Sequence, residues 1–126
     1  MSNEYIAGAC NIGKGEIRRR QFVAVIGAAI TITTAITLLT TDQSKAARLS
    51  IFIPAMIFAI GFVQSRKKFC LAYGLAGTFN FGSLGDVKRV QSTEDRKADR
   101  KTALLILTQS AMLAVAITVV VFALPL

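Results

Sequence analysis

Three long apolar runs without a central charge divide this chain, and its fifteen basic residues are sorted around them. Lys14, Arg18, Arg19 and Arg20 precede the first run. Nine more, from Arg66, Lys67 and Lys68 to Arg100 and Lys101, lie between the second and third. Only Lys45 and Arg48 separate the first from the second. An apolar run of about 20 residues spans a bilayer as a helix, and an excess of Lys and Arg marks the cytoplasmic side. The expected fold is an all-α membrane protein: a transmembrane hairpin plus a third helix, N-terminus inside and C-terminus outside.

The 126 residues are read as one membrane domain. Its spans are expected at about 21–41, 46–64 and 102–124, with an interfacial segment at 69–81 and a basic cytoplasmic arm at 86–101. The first 21 residues are polar, so no cleavable signal is expected. A net charge of +8 would suit nucleic acid. The basic residues flank the apolar runs, however, so anionic lipid of the cytoplasmic leaflet is the nearer partner and nucleic acid is not expected. Arg18, Arg19, Arg66, Lys67 and Lys68 are the candidate lipid contacts. The chain has no His, which removes the commonest general base and the His-ligated metals; no cofactor or metal is expected.

Within the spans, Pro54 predicts a kink, and Arg48 is expected to snorkel to the outer interface. The segment Phe69–Phe81 is apolar but too short to cross, and is read as lying in or dipping into the cytoplasmic leaflet against the hairpin, with an ordinary interfacial loop as the alternative. Gly82 and Gly85 are expected to break the chain after it. Ser92 followed by Asp95 matches a capping box, placing a helix start near Thr93.

Two stripes of small residues, Ala24-Ala28-Thr31-Ala35 and Ala103-Ser110-Ala111-Ala114-Thr118, are the candidate contact between spans one and three. A face of Thr33, Thr34, Thr37, Thr40 and Thr41 could line a solute path or bond its own helix carbonyls. Gln109 lies opposite the third span's small stripe. An amide there needs a partner, either another subunit or span two. No acidic or basic residue lies near the middle of a span, which argues against a coupled transporter acting alone.

Cys10 and Cys70 fall on the same expected side of the membrane and could approach one another. The cytoplasm is reducing, so a structural disulfide is not expected. A thiol site for sulfur, redox equivalents or a soft metal is allowed, as is a role for both as small apolar residues. Glu16 can pair with Arg19 or Arg20 one helical turn away. Asn11 and Gly13 suit a turn that lays the N-terminal segment along the surface, under residues 69–81.

The order Asn11-Ile12-Gly13, Glu16, Arg20 resembles the N-V-G-x-x-D-R-x-x-R opening of the YgaP-like inner-membrane domain family. Phe69-Cys70-Leu71-Ala72-Tyr73-Gly74-Leu75-Ala76-Gly77 is similar to that family's F-C-P-L-Y-x-L-L-G segment after its second span. The resemblance covers about residues 11–78. Ile17 stands where the family has Arg, Leu71 replaces its Pro, and the basic arm and third span are additions. The resemblance implies a small helical hairpin that oligomerises or serves a partner, with Asn11, Gly13, Glu16, Arg20, Phe69, Tyr73 and Gly77 as its cytoplasmic cap. No rhodanese domain is present, so sulfurtransferase activity does not carry over. The leading expectation is a non-enzymatic accessory or scaffold subunit of a larger or self-associated membrane complex. A cytoplasmic-face dithiol is the alternative, and an oligomeric small-solute pore comes third.

Overall fold

The computed structural model describes residues 5–82 and 86–125. Helix α1 spans Lys14–Thr40. A 3-10 segment, Lys45–Ile51, runs directly into α2, Phe52–Lys67. A short helix α3, Leu71–Ala76, is followed by β1, Thr78–Phe79, which pairs antiparallel with β2, Lys88–Arg89. The long helix α4, Thr93–Ala123, completes the chain. Three helical stretches, Lys14–Thr40, Lys45–Lys67 and Thr93–Ala123, are long and apolar enough to cross a membrane.

Burial along these stretches is inverted relative to a water-soluble protein. The buried positions of α1 include Ala24, Gly27 and Thr31, and those of α4 include Ala103, Ser110, Ala114 and Thr118. Large side chains such as Phe22, Val25, Ile32, Ile53, Met112 and Val119 point outward. In lipid there is no gain from hiding large apolar groups, so small residues take the interfaces, where backbones can approach.

The two small-residue stripes do not meet each other. Helices α1 and α4 each pack along α2, which is central. Gly27 abuts the backbone of Phe58, and Gly61 abuts the backbone of Ala24. On the other side of α2, Ala55 and Ala59 pack against Ala114. The expectation of a contact between spans one and three fails because α2 itself offers small residues to both neighbours.

Helix α1 starts at Lys14, several residues before the apolar run; Lys14–Arg20 holds no proline, and its one glycine, Gly15, sits in the first turn, followed by Glu16 and three arginines that favour a helix. Pro54 is the third residue of α2. It follows a change from 3-10 to α geometry between Ile51 and Phe52, and its missing N–H falls in the first turn of α2. Arg48 reaches the end of the bundle where α4 stops, but it meets protein there and not solvent. It is buried, and its guanidinium donates to the carbonyls of Val121, Phe122 and Leu124 at 3.1, 3.4 and 2.7 Å. Those carbonyls end α4, carry the negative pole of its dipole and otherwise lack donors. One arginine thus ties the start of the second span to the end of the third.

At the other end, Ser92 caps α4 by accepting from the Asp95 N–H at 3.3 Å. Gly85, the second expected break, lies outside the described residues.

Candidate functional site: a buried polar cap

The ends of α1 and α2 that carry Arg18–Arg20 and Arg66–Lys68 lie side by side. A folded cap covers that end of the bundle. Its framework is extended backbone. Ile12 pairs in parallel with Asn80: Gly13 N–H donates to the Asn80 carbonyl and Asn80 N–H to the Asn11 carbonyl, both at 2.9 Å. Asn11 N–H reaches the Lys68 carbonyl at 3.3 Å. Gly13 is pressed against the backbone of Phe81, so a side chain there would push the two strands of backbone apart by a few tenths of an ångström.

The Asn11 side chain completes this framework. Its Oδ1 accepts from Cys70 N–H at 2.6 Å and its Nδ2 donates to the Cys70 carbonyl at 3.2 Å, with Asn11 fully buried. A side-chain amide offers a donor and an acceptor side by side, matching the backbone N–H and carbonyl of a single residue. Asn11 therefore acts as a two-point clamp and not as the expected turn residue.

Glu16, Arg20, Tyr73 and Cys70 form the second layer. Glu16 is only 1% exposed, and Arg20 Nη1 donates to its Oε1 at 2.8 Å. The Tyr73 hydroxyl donates to its other carboxylate oxygen. Arg20 lies over the Tyr73 ring, 5.7 Å from its centroid, and its Nη2 donates to Cys70 Sγ at 2.9 Å. Burial, with the Glu16 carboxylate beside it, raises the Tyr73 hydroxyl above its ordinary value, so the phenol stays a donor. The expected Glu16–Arg20 pair is present but buried, where losing either partner strands the other's charge.

Phe69 and Gly77 fix α3. Phe69 is fully buried against Ala103, Ile106, Val63 and Leu71. Gly74 lets α3 press onto the Phe69 ring and the Asp99 carbonyl. Gly77 ends α3 at φ 72°, a left-handed cap that favours glycine. Gln64 Oε1 accepts from Leu71 N–H at 2.7 Å, holding the start of α3 to the end of α2.

The expected charged arm is largely exposed, but one side of it is held by the N-terminal segment. Asp99 is fully buried and accepts from the Tyr5 hydroxyl at 2.6 Å and from Gly8 N–H at 2.7 Å, while Thr102 Oγ1 donates to the Gly8 carbonyl at 2.7 Å. Burial and the nearby Asp99 carboxylate raise the Tyr5 hydroxyl. The first turns of α4 thus hold the chain at residues 5–8, joining the third span to the cap.

The two cysteines occupy the same cap in separate settings. Both are free and buried. Cys10 Sγ donates to the Ile12 carbonyl at 3.7 Å, whereas Cys70 Sγ accepts from Arg20. No group of three or more His, Cys, Asp or Glu side chains able to hold a metal is found among the described residues.

The remaining candidates lie elsewhere. Arg18, Arg19, Arg66 and Lys67 are exposed around the cap, and Lys68 ends α2 in the left-handed conformation at φ 55°. Gln109 is half-buried, on the same flank of α4 as Leu113 and Ile117, which pack toward α2. It does not lie on the open face opposite the small stripe, and its amide makes no hydrogen bond among the described residues. The hydroxyls of Thr33, Thr37, Thr40 and Thr41 each donate to the carbonyl four residues back, so they serve their own helix.

Asp99, Asn80, Gln64 and Tyr5 escaped the sequence reading. A signal existed for two of them. Asp99 shares a helix face with Ala103 and Ile106, and Asn80 is a lone amide between Phe79 and Phe81. The chain matches no protein-family model, no curated protein and no solved structure in these comparisons.

Proposed function

We propose that this chain is a non-enzymatic accessory or scaffold subunit of a bacterial inner-membrane complex, self-associated or bound to other membrane subunits. The basic ends of α1 and α2 support a cytoplasmic N-terminus and cap, with anionic lipid around the exposed arginines and lysines. The motifs at Asn11–Arg20 and Phe69–Gly77, which meet in one cap, support kinship with YgaP-like hairpins.

The observation that carries the subunit reading is Gln109. It lies about 10 Å into the third span, counting from Thr102 at about 1.5 Å per residue. Its amide has no partner among the described residues. An amide in hydrocarbon is stabilised by a hydrogen bond from a neighbouring helix, worth on the order of 1 kcal/mol. A second helix beside α4 supplies that bond. The cap supports the same reading from the other end: Asn11, Glu16 and Asp99 are engaged with groups of the chain itself, which suits a structural lock better than a reaction centre.

Gln109→Leu should weaken assembly. Blue native electrophoresis and native mass spectrometry in mild detergent should show the complex shifting toward the free chain, with helical content unchanged. An unaltered complex would remove Gln109 as its contact and with it the main support for this reading.

A second reading rests on the 2.9 Å contact between Arg20 Nη2 and Cys70 Sγ: a sulfur held by a guanidinium at the cytoplasmic face suits thiol chemistry with sulfur or redox partners. Alkylation of Cys70 much faster than of Cys10 would favour it, and equal slow alkylation of both would favour the scaffold.

A further inference from the structure

Two clefts on one side of the α1–α2 hairpin join end to end, and their chemistry changes along the join. The first, about 300 Å³, is lined by Lys14, Ile17, Arg18, Gln21, Ser65 and Lys68. The second, about 310 Å³, shares Gln21 and Ser65, then runs up the bundle between Ala24, Val25 and Ala28 of α1 and Phe58 and Phe62 of α2. Along α1 the lining residues Lys14, Arg18, Gln21, Val25 and Ala28 recur every three or four positions, so they form one face. Along α2, Phe58, Phe62 and Ser65 do the same. Both faces grade in step: apolar within the span, uncharged polar at Gln21 and Ser65, cationic at the cap.

The groove has a structural cause. Gly27 and Gly61 bring the helix axes so close that a Cβ on either would overlap backbone. Beside that crossing, the small Ala24 and Ala28 leave a recess. The Phe58 and Phe62 rings, stacked with centroids 5.6 Å apart, wall it.

We propose that this paired cleft is a binding site for one anionic phospholipid. The phosphate sits among Lys14 and Arg18, with Arg66 at the rim. The glycerol and ester level meets Gln21 and Ser65, and an acyl chain lies in the groove against Val25, Ala28, Phe58 and Phe62. Arg18 supplies a planar pair of donors suited to phosphate, and Lys14 a mobile point charge. Basic pockets between helices on the cytoplasmic side are suited to such headgroups. A free anion would use the lower cleft alone; the continuous apolar groove selects an amphiphile of graded polarity. The inference deepens the lipid contact proposed above and rests on the same membrane placement.

The test is native mass spectrometry of the full chain in mild detergent, titrated with phosphatidylglycerol or phosphatidylcholine. The wild type should retain one phosphatidylglycerol in preference to phosphatidylcholine. Lys14→Ala with Arg18→Ala, both exposed positions, should weaken that retention about tenfold, the loss expected for charge-assisted contacts. Ala28→Leu, which fills the groove, should weaken it comparably, whereas Ala29→Leu on a different face should not. Equal retention of both lipids would overturn the proposal, as would retention that survives Lys14→Ala with Arg18→Ala. Loss on the charge variant with full retention on Ala28→Leu would overturn it in favour of a simple anion site. Failure of the chain to fractionate with membranes would instead contradict the membrane placement itself.

Discussion

Gly27→Leu should separate the first two spans. A Cβ at position 27 would stand 2.5 Å from the Phe58 backbone nitrogen and 2.7 Å from its Cα. These are backbone atoms inside a helix, so no side chain can rotate out of the way. Gly61 is the reciprocal position, its Cβ 2.8 Å from the Ala24 nitrogen and 2.9 Å from the Arg20 carbonyl oxygen. Overpacking a core that can adjust costs about 1–3 kcal/mol; two helix backbones that must part belong at the upper end or above it. Helix association in lipid depends on close packing and not on escape from water, so little compensates for the lost contact. Each helix keeps its own backbone hydrogen bonds. The expected result is therefore specific: circular dichroism unchanged, and an SDS titration midpoint well below wild type. Val25→Leu, on an exposed position of the same helix, should leave the midpoint in place. A wild-type midpoint for Gly27→Leu would contradict the packing described.

Asn11→Ala should open the cap while leaving the spans packed. The substitution removes both hydrogen bonds to the Cys70 peptide groups and leaves a buried N–H and a buried carbonyl without those partners. Each such loss costs about 1–3 kcal/mol. Asn11→Asp should fare no better, because it keeps the acceptor, loses the donor and adds a charge at a fully buried position. Hydrogen exchange should show the Cys70 amide, held by Asn11 Oδ1, losing protection first, and the Gly13 amide, held by the Asn80 carbonyl beside that clamp, following it. Protection unchanged at Cys70 would contradict the clamp.

Much of the fold was legible because lipid imposes simple rules. Length, lack of central charge and the flanking basic residues were enough to find three long apolar helices. The Ser92 and Asp95 pair was enough to start α4. Interhelical pairing was not legible. Small-residue stripes mark which face of a helix is buried, but α1 and α4 both present one, and nothing local to either says that α2 lies between them. The partners of Arg48 are hidden for a similar reason: the terminal carbonyls of α4 are more than 70 residues away in sequence.

The cap was half legible. The positions singled out as Asn11, Gly13, Glu16, Arg20, Phe69, Cys70, Tyr73 and Gly77 do come together, yet their roles differ from those expected. Asn11 clamps a distant peptide instead of making a turn, and Phe69 is a core anchor. Asp99 was hidden in a charge run whose other members are largely solvated. A buried acid in such a run shows itself by helix face and not by composition. Gln109 sits on a flank, half-buried beside Leu113 and Ile117, a distinction finer than the spacing of a small-residue stripe can make.

A closed polar cap at one end of the bundle holds all three spans and both thiols. The most direct test is the labelling of Cys10 and Cys70 by a membrane-impermeant maleimide in inverted and right-side-out vesicles, read by mass spectrometry. With a closed cap, both thiols of the wild type react slowly in either orientation. Asn11→Ala accelerates both, and only in inverted vesicles. Rapid labelling of the wild type, or acceleration from the outer side, would contradict the account.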